Sequence, residues 1–269
     1  MINSLNFRSF IALSPLLGSA MAASSVTYDF DSSSSGDLFE GAAISGWSQT
    51  NSNPSAFGQT FPLAYVSATD FGSGSSNSAH LGTQFANTPD NSDTTLTGSL
   101  SSVNPSNTMV ASFRMAILDN AADSFEGRDG FSVALKTTAG QEAATIGFSP
   151  TAGDNEGWDV SVGVNGSTST TPVQISALTG YTFSVNASHT GTTFQYGDSA
   201  GAFVLLETAG PITDLDSVGF ISFTHDPLAD VGTSANTLAF DNVMVQIPEP
   251  SSSLLMVLSA GLIAIRRRR

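Results

Sequence analysis

The sequence predicts an all-β chain: a two-sheet antiparallel sandwich of jelly-roll type, followed by one short C-terminal transmembrane helix. Three observations carry this. Apolar and polar residues alternate with period two over many short runs, clusters of Gly, Asn, Asp and Ser punctuate those runs, and no segment of the body sustains a helical period.

The alternation is clearest in two runs. Trp158, Val160, Val162 and Val164 share one face against Asp159, Ser161 and Gly163, and Tyr181, Phe183 and Val185 repeat the pattern against Thr182, Ser184 and Asn186. Such segments are half-buried antiparallel strands. Further strands are predicted near 26–30, 60–66, 94–100, 108–118, 131–137, 143–148, 192–196, 202–208, 217–224 and 237–247. Turns at 188–191 and 197–201 divide a three-stranded meander from Tyr181 to Thr208. Residues 31–59 and 67–93, rich in Ser, Gly and Asn, read as long loops carrying short strands and pinned to the body by Trp47, Phe57 and Phe85.

The two ends of the chain read differently from the body. Residues 1–22 have the parts of a secretory signal peptide: Arg8, an apolar core from Phe10 to Leu17, and Ala20-Met21-Ala22 as a small-x-small cleavage site before Ala23. At the other end Pro248-Glu249-Pro250 precedes an uncharged apolar stretch, 251–265, and then Arg266, Arg267, Arg268 and Arg269. As a helix that stretch reaches about 22 Å, short of the ~30 Å hydrocarbon core, so a span needs the arginines to snorkel. Arginines flanking a span stay cytoplasmic, which places the body, 23–247, outside. An ordinary C-terminal anchor is the plain reading of the apolar stretch alone.

The body holds every one of the 23 acidic residues except Glu249, and only Arg114, Arg128 and Lys136 as cations. Nucleic acid is excluded as a partner, because phosphate binding relies on Lys and Arg. A surface of this sign is soluble and attracts divalent cations. Cysteine is absent, which removes disulfides, thiolate nucleophiles and Cys-ligated zinc together.

The Pro-Glu-Pro tripeptide, short apolar helix and terminal arginines, in that order from Ile247 to Arg269, resemble the PEP-CTERM sorting signal of Gram-negative bacteria. The resemblance implies that a membrane protease, exosortase, recognises the tail and removes it. Inside the body, Ser112-Phe113-Arg114-Met115, Asp129-Gly130-Phe131-Ser132-Val133-Ala134-Leu135 and Val218-Gly219-Phe220-Ile221-Ser222-Phe223 are similar to core strands of the concanavalin A-like lectins and glucanases. In those lectins the Asp before Gly contacts sugar, which points to Asp129, and Trp47 and Trp158 join it as candidate ligand-binding residues. Their acidic metal-binding strand has no counterpart here. Asp29-Phe30-Asp31, Gly46-Trp47 and Phe240-Asp241-Asn242-Val243 resemble the opening and closing strands of jelly-roll carbohydrate-binding modules, where a structural calcium joins first and last strands. Asp241 has the parity of Val243 and Val245, so an unbulged strand turns its carboxylate inward, where it needs a partner. Backbone donors, a bulge that rotates it outward, or calcium shared with Asp29 or Asp31 all meet that need.

No catalytic set stands out. The Glu-x-Asp-x-Glu motif of laminarinase-like enzymes is missing, and Asp214-Leu215-Asp216 reads as a solvated turn. Gly197-Asp198-Ser199 reads as a hairpin turn, and His80, His189 and His225 lie far apart in the chain. The sequence therefore predicts a non-enzymatic exported protein that is transiently membrane-anchored, then placed at the cell surface or released. Extracellular polysaccharide is its expected partner, calcium its expected structural ion and exosortase its expected processing enzyme. A purely structural surface protein is the alternative, and a polysaccharide-degrading hydrolase the third reading.

Overall fold

The computed structural model describes residues 24–37, 39, 44–51, 64–69, 71, 77–82, 94–100, 108–119, 128–151, 157–198, 203–226 and 236–248. The signal peptide, Glu249, Pro250, the predicted helix 251–265 and Arg266 to Arg269 lie outside them. Among the described residues no helix is long and apolar enough to cross a membrane.

The strands in chain order are β1 (Ser25–Tyr28), β2 (Trp47–Asn51), β3 (Ala64–Ser67), β4 (Ser78–Gly82), β5 (Thr94–Ser99), β6 (Thr108–Asp119), β7 (Gly130–Thr137) and β8 (Glu142–Pro150). They continue with β9 (Gly157–Val164), β10 (Ser167–Ser176), β11 (Tyr181–Ser188), β12 (Thr192–Gly197), β13 (Val204–Ala209), β14 (Val218–Asp226) and β15 (Asn236–Gln246). The first sheet runs β13-β12-β11-β6-β15-β4-β3, with β1 also on β15; the second runs β10-β9-β8-β7-β14-β5-β2. All pairings are antiparallel. The predicted two-sheet sandwich is the architecture observed.

Alternation places the core. On β9, Trp158, Val160, Val162 and Val164 are buried, and on β11 Phe183, Val185 and Ala187 are, so the two runs that read most clearly in sequence form the inner faces of opposite sheets. Phe223 of β14 and Phe240 of β15 stack across the interface with centroids 3.8 Å apart. Around them sit Trp47, Phe30 and Phe39 in edge or tilted contacts. The Trp47 ring lies across β5, where a Cβ on Gly98 would stand 3.1 Å from the indole; glycine is what lets the ring lie that close. The Tyr28 hydroxyl donates to the Ser99 carbonyl and so ties β1 of the first sheet to β5 of the second.

β15 is the hinge of the first sheet's topology. Its first half pairs with β4 and its second with β1, both on the same edge, while β6 runs along the other. Between the halves Asp241 pairs with Arg114 and Met244 with Ser112, so two residues, Asn242 and Val243, oppose Phe113 alone. Asn242 takes φ 51°, a left-handed conformation that Asn tolerates better than most residues. This is a β-bulge, and it resets the inward-outward parity of the strand.

Candidate functional site

Asp129 stands at the end of the sandwich where β7, β9 and β15 begin and β14 finishes. Three elements hold it. Its N–H donates to Asn236 Oδ1 of β15 at 3.0 Å, its carbonyl accepts from Trp158 Nε1 of β9 at 2.9 Å, and its carboxylate Oδ2 meets His225 Nε2 of β14 at 2.8 Å. Asn236 belongs to the first sheet and the other two to the second, so Asp129 ties the sheets together at this end. The His225 ring packs on Phe131, its ladder neighbour, at 5.4 Å between centroids. The Arg128 guanidinium lies 5.8 Å from the centroid of the Trp158 ring, within the range of a cation–π contact.

Burial decides what this cluster can do. The side chains of Asp129 and His225 are each 1% exposed, and Trp158 is fully buried. Nε2–H of His225 donates to the carboxylate; among the described residues Nδ1, and the hydroxyl of Thr94 beside it on β5, are buried without a hydrogen-bond partner. A carboxylate so placed has no edge open to a sugar, and the cluster works as a clamp. Asp129 and Trp158, paired as candidates in sequence, do come together. Trp47 is separate from them and 4% exposed among the core aromatic rings. A sugar-stacking platform needs an open ring face, and neither indole offers one.

The three aspartates named for calcium are not brought together. Asp29 and Asp31 are exposed beyond β1, where Asp29 Oδ1 accepts from Asp31 N–H and Asp31 Oδ1 from Asn77 N–H. Asp241 is fully buried and sits directly opposite Arg114 in the ladder. The bulge at Asn242 is the reason. It puts Val243 and Val245 on the core side with Phe240, while Asp241 takes the outward parity of Arg114, its ladder partner. Among the described residues no group of three or more His, Asp or Glu side chains is arranged to hold a metal ion.

A second buried imidazole rules out a nucleophile that proximity would suggest. Ser78 Oγ lies 3.1 Å from His80 Nε2, but it donates its single proton to the Thr69 carbonyl at 3.0 Å. His80 Nε2–H must then be the donor to Ser78, and Nδ1 accepts from Tyr65 OH at 3.3 Å. A base that is itself the donor cannot activate the serine. Burial pushes the His80 pKa down to about 4, so the ring is neutral. Asp214 precedes and Asp216 lies within a short 3-10 turn, Leu215–Ser217, at the opposite end of the sandwich, where Asp216 meets His189 at 3.3 Å with both exposed.

Sequence reading missed His225, Asn236 and Arg114 as structural players. A signal for His225 was present: it shares the parity of Ile221 and Phe223, so the strand that buries them buries an imidazole too.

The family comparison identifies residues 246–269 as a PEP-CTERM protein-sorting motif. The chain thus carries a signal that implies export and membrane-anchored processing toward the cell surface. Among curated proteins none matches the chain in sequence. In fold it is similar to the catalytic domain of a glycoside hydrolase family 131 protein from Coprinopsis cinerea, at TM-score 0.56 and 10% identity over 82% of this chain and 92% of that one. A family 131 β-glucanase catalytic domain from Podospora anserina aligns at TM-score 0.49 and 12% identity, over 69% of this chain and 79% of that one. A Bauhinia forficata lectin in complex with GalNAc aligns at 0.49 and 11%, over 84% and 98%. At such identities a likeness speaks for the fold alone.

Proposed function

We propose that the chain is the precursor of an exported, non-catalytic surface protein that associates with extracellular polysaccharide and loses its tail to exosortase. The sorting motif at residues 246–269 carries this reading. The body supports it. Ile247 N–H donates to the Ser24 carbonyl at 3.0 Å, so the first and last residues of the body lie side by side. β15 then runs 11 residues to Asn236 at the Asp129 clamp, about 33 Å away at strand rise. Pro248, the last described residue, therefore lies toward the end of the sandwich opposite the clamp. In the Coprinopsis protein the shared fold belongs to a glycoside hydrolase, so a sandwich of this build suits a carbohydrate partner. The non-catalytic part rests on the His225 and His80 pairings, both closed to substrate.

One observation favours a second reading, a purely structural surface protein: Trp47 and Trp158 are in the core and Asp129 is committed to His225. Binding of the host's own polysaccharide, measured by titration calorimetry with the exported protein, separates the two. Heat that saturates supports association, and none at millimolar sugar supports the structural alternative. Intact-mass measurement after expression with exosortase tests the processing; a mature product that retains Arg266 to Arg269 overturns it.

A further inference from the structure

We propose that a depression on the outer face of the first sheet, built around Arg114, binds a carboxylate-bearing saccharide such as a uronic acid residue. The depression holds about 360 Å³ and is lined by Thr27, Ser112, Arg114, Thr182, Asn242 and Met244. That is at the small end of ligand sites and suits a single sugar ring. Its walls are four adjacent strands: Arg114 faces Thr182 of β11, Ser112 faces Met244 of β15, and Thr27 of β1 faces Met244 from the other side. Groups on paired strands are held more firmly than groups on loops.

Arg114 is the feature that needs explaining. In a body with only three cations among many carboxylates, it makes no ion pair among the described residues. Among the described residues its Nε–H is buried without a hydrogen-bond partner. Room for the guanidinium comes from Gly180, where a Cβ would sit 3.0 Å from Nη2. Asp241 is opposite in the ladder but fully buried and outside the lining, whereas Arg114 is half-buried and within it. The depression therefore presents the cation. A planar guanidinium matches a carboxylate with two parallel donors. The hydroxyls of Thr27, Ser112 and Thr182 are partners for ring hydroxyls, and the Met244 thioether is a soft surface for a sugar's C–H face. The acidic character of the body does not forbid an anionic ligand, since exposed charges beyond about 8 Å are screened at physiological salt.

This inference rests on the polysaccharide reading and sharpens it. The test is calorimetric titration of the exported protein with oligogalacturonate and oligoglucuronate, against neutral galactose and glucose oligomers of the same length. The uronates should bind at least about tenfold more tightly than the neutral sugars, and Arg114→Lys, which keeps the charge but loses the fork, should weaken them about tenfold. Ser112→Ala removes one lining hydroxyl of a half-buried residue and should weaken binding severalfold with little change in melting temperature, which separates lost contact from lost folding. Equal binding of uronate and neutral oligomers overturns the proposal, as does full uronate affinity in Arg114→Lys. If the host polysaccharide binds and uronates do not compete, this site fails while the broader reading stands. If neither binds, both fail.

Discussion

The two buried imidazoles sit on opposite sheets and in opposite company. His225 points into the sandwich, on the inner face of β14, and gives its Nε2 proton to the Asp129 carboxylate. His80 is on the outward parity of β4, between Ala79 and Leu81 of the core, and is nevertheless only 2% exposed, with Ser78 and Tyr65 hydroxyls as its partners. Equal burial thus produces two different electrostatic objects. One region is a hydrogen-bonded clamp that contains a carboxylate and bridges the sheets; the other is a chain of neutral groups that excludes charge from the imidazole. The first is vulnerable to losing a partner and the second to gaining a proton.

The largest expected effect comes from breaking the clamp. Asp129→Ala leaves the His225 Nε2–H buried without its acceptor, and a buried donor left unsatisfied costs up to about 3 kcal/mol. Urea unfolding at pH 7 reads this directly. The double change Asp129→Leu with His225→Phe should recover a large part of the loss, since apolar groups of similar volume replace buried pairs at little cost. A single-variant loss under about 1 kcal/mol would mean that the clamp contributes no more than an ordinary hydrogen bond.

Acid should act through the other region. His80 has a folded pKa of about 4 against an ordinary value of 6.5, lowered by burial. Above pH 6.5 both folded and unfolded forms keep the ring neutral. Below it the unfolded chain takes up the proton and the folded one does not, so stability falls from pH 6.5 down to about 4, where the folded ring protonates as well. The loss over that window is on the order of 3 kcal/mol. His80→Gln can donate to Ser78 and accept from Tyr65 without titrating, and should abolish this component of the acid dependence. An acid profile that is the same in parent and variant would move the cause to other groups.

How much of this was readable follows from periodicity. β9 and β11 alternate cleanly because each has one face in the core and one outside, and the sandwich was legible from them. β10 was not, since it is an edge strand of Ser and Thr broken by a register shift between Thr170 and Gln174. β2 and β4 lie in stretches whose Ser, Gly and Asn content masks two short strands. At the candidate site the outcome is divided. Asp129 and Trp158 were singled out for sugar contact and are neighbours, but they are buried, because a residue's type does not say which side of a strand it faces. Asp241 turned on one residue: the left-handed Asn242 reverses the parity that would have sent the carboxylate inward. Partners supplied by distant strands, such as Asn236 for the Asp129 backbone, 107 positions away, leave no local trace.

The smallest expected effect separates the two causes that could keep His80 neutral. Tyr65 OH donates to Nδ1 across a long 3.3 Å bond, and a donor at that atom favours the uncharged ring; desolvation favours it independently. Tyr65→Phe removes the first and retains most of the second, because the phenyl group still covers the imidazole, whose ring centroid lies 5.2 Å from that of Tyr65. The variant should lose about 1 kcal/mol at pH 7, the worth of one hydrogen bond. Its stability should still fall between pH 6.5 and about 4, because burial is the cause that lowers the His80 pKa. Urea titrations at pH 7, 5.5 and 4.5 on both proteins decide the matter. Parallel acid profiles, offset by a constant amount, assign the neutral imidazole to burial, whereas a flat profile in Tyr65→Phe assigns it to the tyrosine hydroxyl.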